Sequence, residues 1–148
     1  MKKIYLAGPL FSRSEVKERY EDERKLREAF DDISIFNPIR LNQFATEEDL
    51  KDETFFYRKD LKAITESNVM IADIDNNDPG TLVELGIYLE QCRNNGKELY
   101  VIYSNWKGCE GMNKFLRGAI LLDTPRIFAN IEDLIEYLKG QKSWKTKH

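Results

Sequence analysis

Asp78 and Glu84 lie six residues apart in the stretch Asp78-Pro79-Gly80-Thr81-Leu82-Val83-Glu84-Leu85-Gly86. Asp78 suits a helix N-cap and Pro79 the first helical position. Glu84 then falls in the second turn, and helical side chains lean back toward the N-terminus. Its carboxylate therefore leans toward the helix end that carries Asp78. Leu82, Val83, Leu85 and Ile87 enclose it and favour partial burial, which is costly unless something uses or pairs the charge. A solvated or lysine-paired helix glutamate is the plain alternative at this position. Asp73 and Asp75 end the apolar run before this helix, and Asp60 stands on the helical segment before that run. Taken alone, Asp60 reads as a surface charge.

Carboxylates gathered at one edge suit either a metal or acid–base work on a sugar. The only histidine is His148, and Cys92 and Cys109 lack metal-ligand spacing. Zinc is therefore not expected, and both cysteines read as reduced thiols. Magnesium with a phosphate substrate calls for a glycine-rich loop with a lysine, which Gly8-Pro9 does not supply. No metal and no cofactor are expected. Glycosyl transfer, in contrast, uses paired carboxylates: one attacks the anomeric carbon while an acid protonates the leaving group. A 2-deoxyribose lacks the electron-withdrawing 2'-hydroxyl, so its oxocarbenium forms more readily. The departing base must gain a proton on nitrogen, and a carboxylic acid kept neutral by its surroundings can give one.

The elements that must position these groups alternate. Ile4 to Ala7 reads as a buried strand ended by Gly8-Pro9, and not as a signal peptide, because charged residues follow at once. Ser14 is the expected cap of a helix running to about Phe30. Ile33 to Phe36 is a second strand, and Ile39 to Asp49 a long loop without a clear period. A helix spans about Asp52 to Glu66, a strand Val69 to Ile74, and a helix Pro79 to about Arg93, stopped near Gly96. Leu99 to Tyr103 is a fourth strand. A short helix covers Asn113 to Ile120, Arg126 to Phe128 forms a last strand, and Ile131 to Leu138 a closing helix. The basic tail Lys139 to Lys147 reads as a frayed, solvated terminus.

Such alternation implies parallel strands with right-handed crossovers, a three-layer α/β sandwich of about five strands of the flavodoxin-like or Rossmann-like kind. Ligands in these sheets bind beyond the strands' carboxyl ends. Gly8 to Phe11, Asn37 to Gln43, Asp73 to Gly80 and Ser104 to Asn113 are expected around one crevice. The 148 residues suit a single domain, and 41% hydrophobic with 33% charged residues fits a soluble, cytoplasmic protein. The net charge of −3 without a concentrated basic face argues against a nucleic-acid polymer as partner. No run approaches the ~20 apolar residues of a membrane span.

Several segments together resemble the nucleoside 2'-deoxyribosyltransferases over most of the chain. They are Ile4-Tyr5-Leu6-Ala7-Gly8-Pro9-Leu10-Phe11, Asp60-Leu61 with Ile64, Asp73-Ile74-Asp75, the Asp78 to Gly86 element, and Asn113-Lys114-Phe115-Leu116-Arg117-Gly118-Ala119. The Asp-x-Gly-Thr-x-x-Glu-x-Gly element is the most specific of them. The resemblance implies that Glu84 is the nucleophile forming a deoxyribosyl-enzyme ester and that Tyr5 orients it. It implies that Asp60 and Asp78 contact the base and exchange its proton. Gln43 matches a base-reading amide, and Phe11 packs on the base. Asn113 matches a residue given by a neighbouring subunit to the sugar's 5'-hydroxyl. Gly8, Gly80 and Phe115 fall in the same matched elements and are expected to line the substrate site.

Phe115 departs from the family, whose members often carry methionine there. Related hydrolases acting on nucleoside 5'-monophosphates carry serine at the Asn113 position, so Asn113 favours a free 5'-hydroxyl. Ser12, Arg13 and Arg117 keep open a phosphate pocket. The expected activity is transfer of 2-deoxyribose from a 2'-deoxyribonucleoside to a free nucleobase. A homo-oligomer with shared sites, a dimer or a trimer of dimers, is the expected assembly, with Trp106 and Met112 as exposed apolar candidates for the contact. The alternatives are a deoxynucleotide N-glycosidase on the same fold and a nucleoside-binding module without catalysis.

Overall fold

The computed structural model describes residues 1–104, 111–124 and 126–148. In chain order the elements are β1 (Lys2–Ala7), α1 (Arg13–Ala29), β2 (Phe30–Asp31), β3 (Ile33–Phe36), α2 (Pro38–Asn42), α3 (Glu47–Lys51) and α4 (Phe55–Glu66). There follow β4 (Val69–Asp73), a 3-10 turn (Asp75–Asn77), α5 (Pro79–Asn95), β5 (Glu98–Ile102), α6 (Lys114–Asp123), β6 (Ile127–Phe128), α7 (Ile131–Lys139) and β7 (Lys145–Thr146).

Five strands form one sheet in the order β3-β1-β4-β5-β6, with every neighbouring pair parallel. Strand side chains alternate between faces, and the two faces carry separate cores. Tyr5, Ala7, Met70, Ala72 and Val101 pack with Ile64 of α4, Leu85 and Tyr88 of α5 and Ile120 of α6. Ile4, Leu6, Val69, Ile71 and Ile102 pack with Leu26 of α1 and Leu134 and Leu138 of α7. Helices thus cover both faces, giving the three layers expected from the sequence. Both faces being buried explains why β4 reads as an uninterrupted apolar run.

Local chemistry sets the helix ends. Asp78 caps α5, its Oδ2 accepting from Thr81 N at 2.9 Å and from Thr81 Oγ1 at 2.7 Å, with Pro79 at the first helical position. Gly96 ends α5 in the left-handed region at φ 63°, which glycine adopts without a Cβ penalty.

Four expectations are corrected. The cap of α1 is Ser12 and not Ser14: Ser12 forms a capping box with Glu15, whereas Ser14 is followed three residues on by Lys17, which has no acceptor to return. The stretch Ile39 to Asp49 is not one loop. Asn37 caps α2, and a Thr46–Asp49 capping box starts α3, both helices being too short to show a period. The tail is not frayed. Trp144 is 4% exposed, meets the Phe30 ring at 4.9 Å and donates from Nε1 to Glu98 Oε2 at 3.2 Å, while β7 pairs antiparallel with β2. Met112 is not exposed but buried in the core on the α4–α5–α6 side, because the turn before α6 brings it under that helix. Trp106 and Cys109 lie outside the described residues; Cys92 is half-buried. No helix among the described residues is long and apolar enough to cross a membrane.

Candidate active site

The sheet order places a switch point between β1 and β4, because the chain leaves β1 toward β3 and continues on the other side from β4 to β5 and β6. Open α/β sheets bind ligands at such points. A crevice of about 590 Å³ lies there. Gly8, Leu10 and Phe11 line it from beyond β1, Pro38, Ile39 and Asn42 from α2, and Phe56 and Asp60 from α4. Asp78, Gly80 and Glu84 complete it from α5. A second cavity of about 280 Å³ adjoins it, sharing Phe56, Asp60, Gly80 and Glu84 and walled by Tyr57, Leu61, Ile64, Val83 and Ile87. None of the described residues lining either cavity is lysine, arginine or histidine.

Three elements bring the reactive groups together: Tyr5 from the sheet, Asp60 from α4 and Glu84 from α5. Tyr5 is fully buried and lines neither cavity; its hydroxyl touches the Glu84 carboxyl through a loose hydrogen bond, and neither Tyr5 Oη nor Glu84 Oε2 makes a well-formed one. Burial pushes the Glu84 carboxyl up to about 7, the nearby Tyr5 hydroxyl opposes that rise, and the charges of Asp60 and Asp78 add to it. Burial also raises the Asp60 carboxyl, against a hydrogen bond from Asn42. The Tyr5 phenol is held far above its ordinary range, first by burial and then by the charges of Glu84 and Asp60. It stays a neutral hydroxyl. The arrangement offers an attacking carboxylate in an apolar recess, a hydroxyl to steady it and a neighbouring carboxyl that holds its proton more tightly than usual.

Two carboxylates expected at this edge serve the framework instead. Asp73 Oδ2 accepts from Arg19 Nη2 at 2.6 Å, and its Oδ1 accepts from Asp75 N at 2.9 Å. Asp75 Oδ1 accepts from Ser104 N at 2.8 Å. Arg19 is 1% exposed and also pairs with Asp22 at 3.1 Å and Glu18 at 3.4 Å. Asp22 is pushed up to about 7 by burial, against the pull of Arg19. The guanidinium lies so close under Gly8 that a Cβ there would sit 1.9 Å from Arg19 Nη1. Position 8 therefore requires glycine for packing as well as for the crevice wall.

The remaining expected residues are spread differently. Phe11 is 87% exposed at the crevice, not core. Gln43 is exposed at the end of α2 and lines neither cavity; its neighbour Asn42 does. Asn113 caps α6, its Oδ1 accepting from Phe115 N at 3.0 Å and Leu116 N at 3.1 Å. Phe115 is 88% exposed, and neither residue lines a described cavity. Ser12 is occupied as the α1 cap, and neither Arg13 nor Arg117 lines the crevice. The sequence reading placed Asn42 in a stretch expected at the crevice without giving it a role, and it missed Phe56 and Arg19. Phe56 carried a helical-face signal; Asn42 and Arg19 carried none, because their partners are distant in the chain. Among the described residues no grouping of three or more His, Cys, Asp or Glu could hold a metal ion.

Comparison with known proteins bears on this arrangement. An uncharacterized protein of Ureaplasma parvum is 35% identical, the match covering 92% of this chain and 93% of that protein. Among solved structures, a conserved protein of Enterococcus faecalis has a TM-score of 0.76 at 22% identity, covering 94% of this chain and 98% of that one. The 2-deoxyribosyltransferase of Bacillus psychrosaccharolyticus has a TM-score of 0.66 at 24% identity, covering 99% of both chains. The CMP N-glycosidase of Clostridium botulinum has a TM-score of 0.59 at 20% identity, covering 93% and 98%. These structural likenesses establish the shared fold. A family model described as nucleoside 2-deoxyribosyltransferase matches residues 4–114, a span that holds Tyr5, Asp60, Asp78, Glu84 and Asn113. By that match the chain belongs to the nucleoside 2-deoxyribosyltransferase family.

Proposed function

We propose that the protein transfers 2-deoxyribose from a 2'-deoxyribonucleoside to a free nucleobase through an ester on Glu84. The observation that carries this reading is the Glu84 carboxyl itself, half-buried at the crevice with Oε2 out of water and poorly satisfied, and with Asp60 close enough to raise its proton affinity. A carboxylate oxygen kept out of water and poorly satisfied costs stability; a nucleophile that must attack carbon gains by it. In the first half-reaction Glu84 attacks the anomeric carbon, the C–N bond breaks, and Asp60 gives its proton to the base nitrogen. In the second, a new base attacks the same carbon, its N–H proton returns to Asp60, and the Glu84 carboxylate is released. Tyr5 steadies Glu84 by donating its hydroxyl once substrate brings the two together. Asp78 contacts the base through a carboxylate whose Oδ2 is held by Thr81, and Gly8, Gly80 and Phe11 form walls against it.

Two features weigh against the other readings. A hydrolase of nucleoside 5'-monophosphates gains from a cation beside the phosphate, and the described lining residues include none. A binding module gains nothing from burying Glu84. The active form in this reading is a cytoplasmic homo-oligomer in which Asn113 and Phe115 of a neighbouring copy complete the sugar site. The test is to mix deoxyinosine with adenine. A transferase forms deoxyadenosine; hypoxanthine with free sugar and no new nucleoside would mean a hydrolase; no change would leave a binder.

A further inference from the structure

Asn42 ends α2 and has no part in the reaction assigned so far. Its Nδ2 donates to Pro38 O at 3.0 Å and to Asp60 Oδ1 at 3.0 Å. An amide nitrogen carries two hydrogens, so both are used. Pro38 O accepts whatever the protonation of Asp60, so turning the amide over would set its own oxygen against that carbonyl; where it stands, Asn42 Oδ1 is buried without a partner. The orientation of Asn42 is thereby fixed.

The helix that carries Asn42 is itself anchored. Asn37, 1% exposed, donates from Nδ2 to Glu23 Oε2 at 3.0 Å, and its Oδ1 accepts from Ile39 N at 3.1 Å. Arg40 Nε reaches the same Glu23 oxygen at 2.9 Å. A polar brace therefore runs from α1 through α2 and ends on the Asp60 carboxyl of α4.

We propose that Asn42 is a positioning residue of the transfer: by donating to Asp60 Oδ1 it fixes how that carboxyl turns and leaves Oδ2 to carry the proton exchanged with the nucleobase. A carboxylic acid donates from one oxygen and accepts on the other, so the oxygen that accepts from Asn42 is the one without the proton. The proposal rests on Asp60 being the proton-carrying acid of the transfer described above. The groups that act on Asp60 support it: burial raises its proton affinity, while Asn42 of α2 and Lys59 of its own helix lower it. Glu84 of α5 and Tyr5 of β1 feel the Asp60 charge in turn.

The experiment follows the Asp60 carboxyl carbon by NMR across pH, its signal assigned by its loss in Asp60→Asn. Asn42→Leu is compared with wild type, and Asn42→Ala replaces it should the leucine protein not fold. Losing one charge-assisted hydrogen bond should move the Asp60 midpoint up by about one pH unit. Asn42→Leu should also shift the alkaline limb of the transfer rate upward by the same amount. In an Asp60→Asn background the same substitution should change the residual rate less than about twofold, because its partner is already gone. An unmoved midpoint in a folded, active variant overturns the positioning role alone, as does a further large loss in the Asp60→Asn background. Absence of transfer in the wild-type protein overturns the functional reading instead, and the NMR midpoint still reports separately on Asn42.

Discussion

Tyr5 and Glu84 face one another from β1 and α5: a loose hydrogen-bond contact between them lowers the proton affinity of the Glu84 carboxyl and raises that of the Tyr5 phenol, while neither Tyr5 Oη nor Glu84 Oε2 makes a well-formed hydrogen bond. Buried polar groups in folded proteins are nearly always satisfied, so a poorly satisfied pair calls for an explanation. Here β1 and α5 present a donor and an acceptor that meet only loosely. A reaction in which the carboxylate leaves and returns to such a partner accounts for the arrangement.

Glu84→Gln should stabilise the fold at alkaline pH. Glu84 holds its proton up to about 7 in the folded state, against an ordinary value of 4.5. The unfolded chain releases its proton first as pH rises, so wild-type stability falls across that window and stays lower above it. Glutamine has no proton to lose. The expected gain at pH 8 is on the order of 2 kcal/mol, allowing for solvent reaching part of the side chain, and a rise in Tm of several degrees. Calorimetry at pH 5 should show little difference between the two proteins. A wild type more stable than the variant at pH 8 would mean that Glu84 is paired in solution.

Tyr5→Phe should change stability little, because the lost hydroxyl makes only a loose contact with Glu84 in the folded protein. It should cost activity on the acid side. The hydroxyl lowers the proton affinity of Glu84, so its removal keeps the nucleophile protonated to higher pH. At pH 6 kcat should fall roughly tenfold and recover in part by pH 8. A rate profile that drops equally at every pH would assign Tyr5 a packing role only.

Deoxyinosine should be preferred to inosine by at least about a hundredfold in kcat/KM. A 2'-hydroxyl slows oxocarbenium formation and crowds the Glu84 nucleophile at the crevice wall. Comparable kcat/KM for the two nucleosides would remove the deoxyribose preference.

Asn113→Ala mixed with Glu84→Gln should regain activity if copies of the chain share sites. Mixed assemblies then hold one doubly damaged site and one intact site. Because Asn113 also caps α6, the alanine variant should lose about 1 kcal/mol of stability, and the exchange is done well below its Tm. Mixing that restores nothing, with Asn113→Ala itself inactive, would place the whole site within one chain.

Much of the frame was legible because its signals are local. Ile33–Phe36 and the Asp78 cap with Pro79 stand in the structure where their residues pointed. The convergence of Tyr5 and Asp60 on Glu84 was implied by the family resemblance; taken alone, Asp60 read as a surface charge. What escaped was long-range or single-residue chemistry. Asn42 meets Asp60 across 18 residues and Arg19 meets Asp73 across 54, and neither pair leaves a pattern in the chain. Asp73 consequently read as a crevice acid when it is the counter-charge of a buried arginine. The charged tail concealed one anchoring ring, Trp144, whose burial outweighs the solvation of its lysine neighbours.

The central claim, that Glu84 takes the sugar, is most directly tested by trapping the ester. Wild-type protein and Glu84→Gln are incubated with a deoxyribonucleoside, without acceptor base, and quenched in acid within one turnover. Peptide mass spectrometry then locates any added deoxyribosyl group. The expected result is a deoxyribosyl adduct on the peptide holding Glu84, absent from Glu84→Gln, which also loses several orders of magnitude in turnover. Near-normal turnover by a folded Glu84→Gln protein, or an adduct carried on another carboxylate, would contradict it.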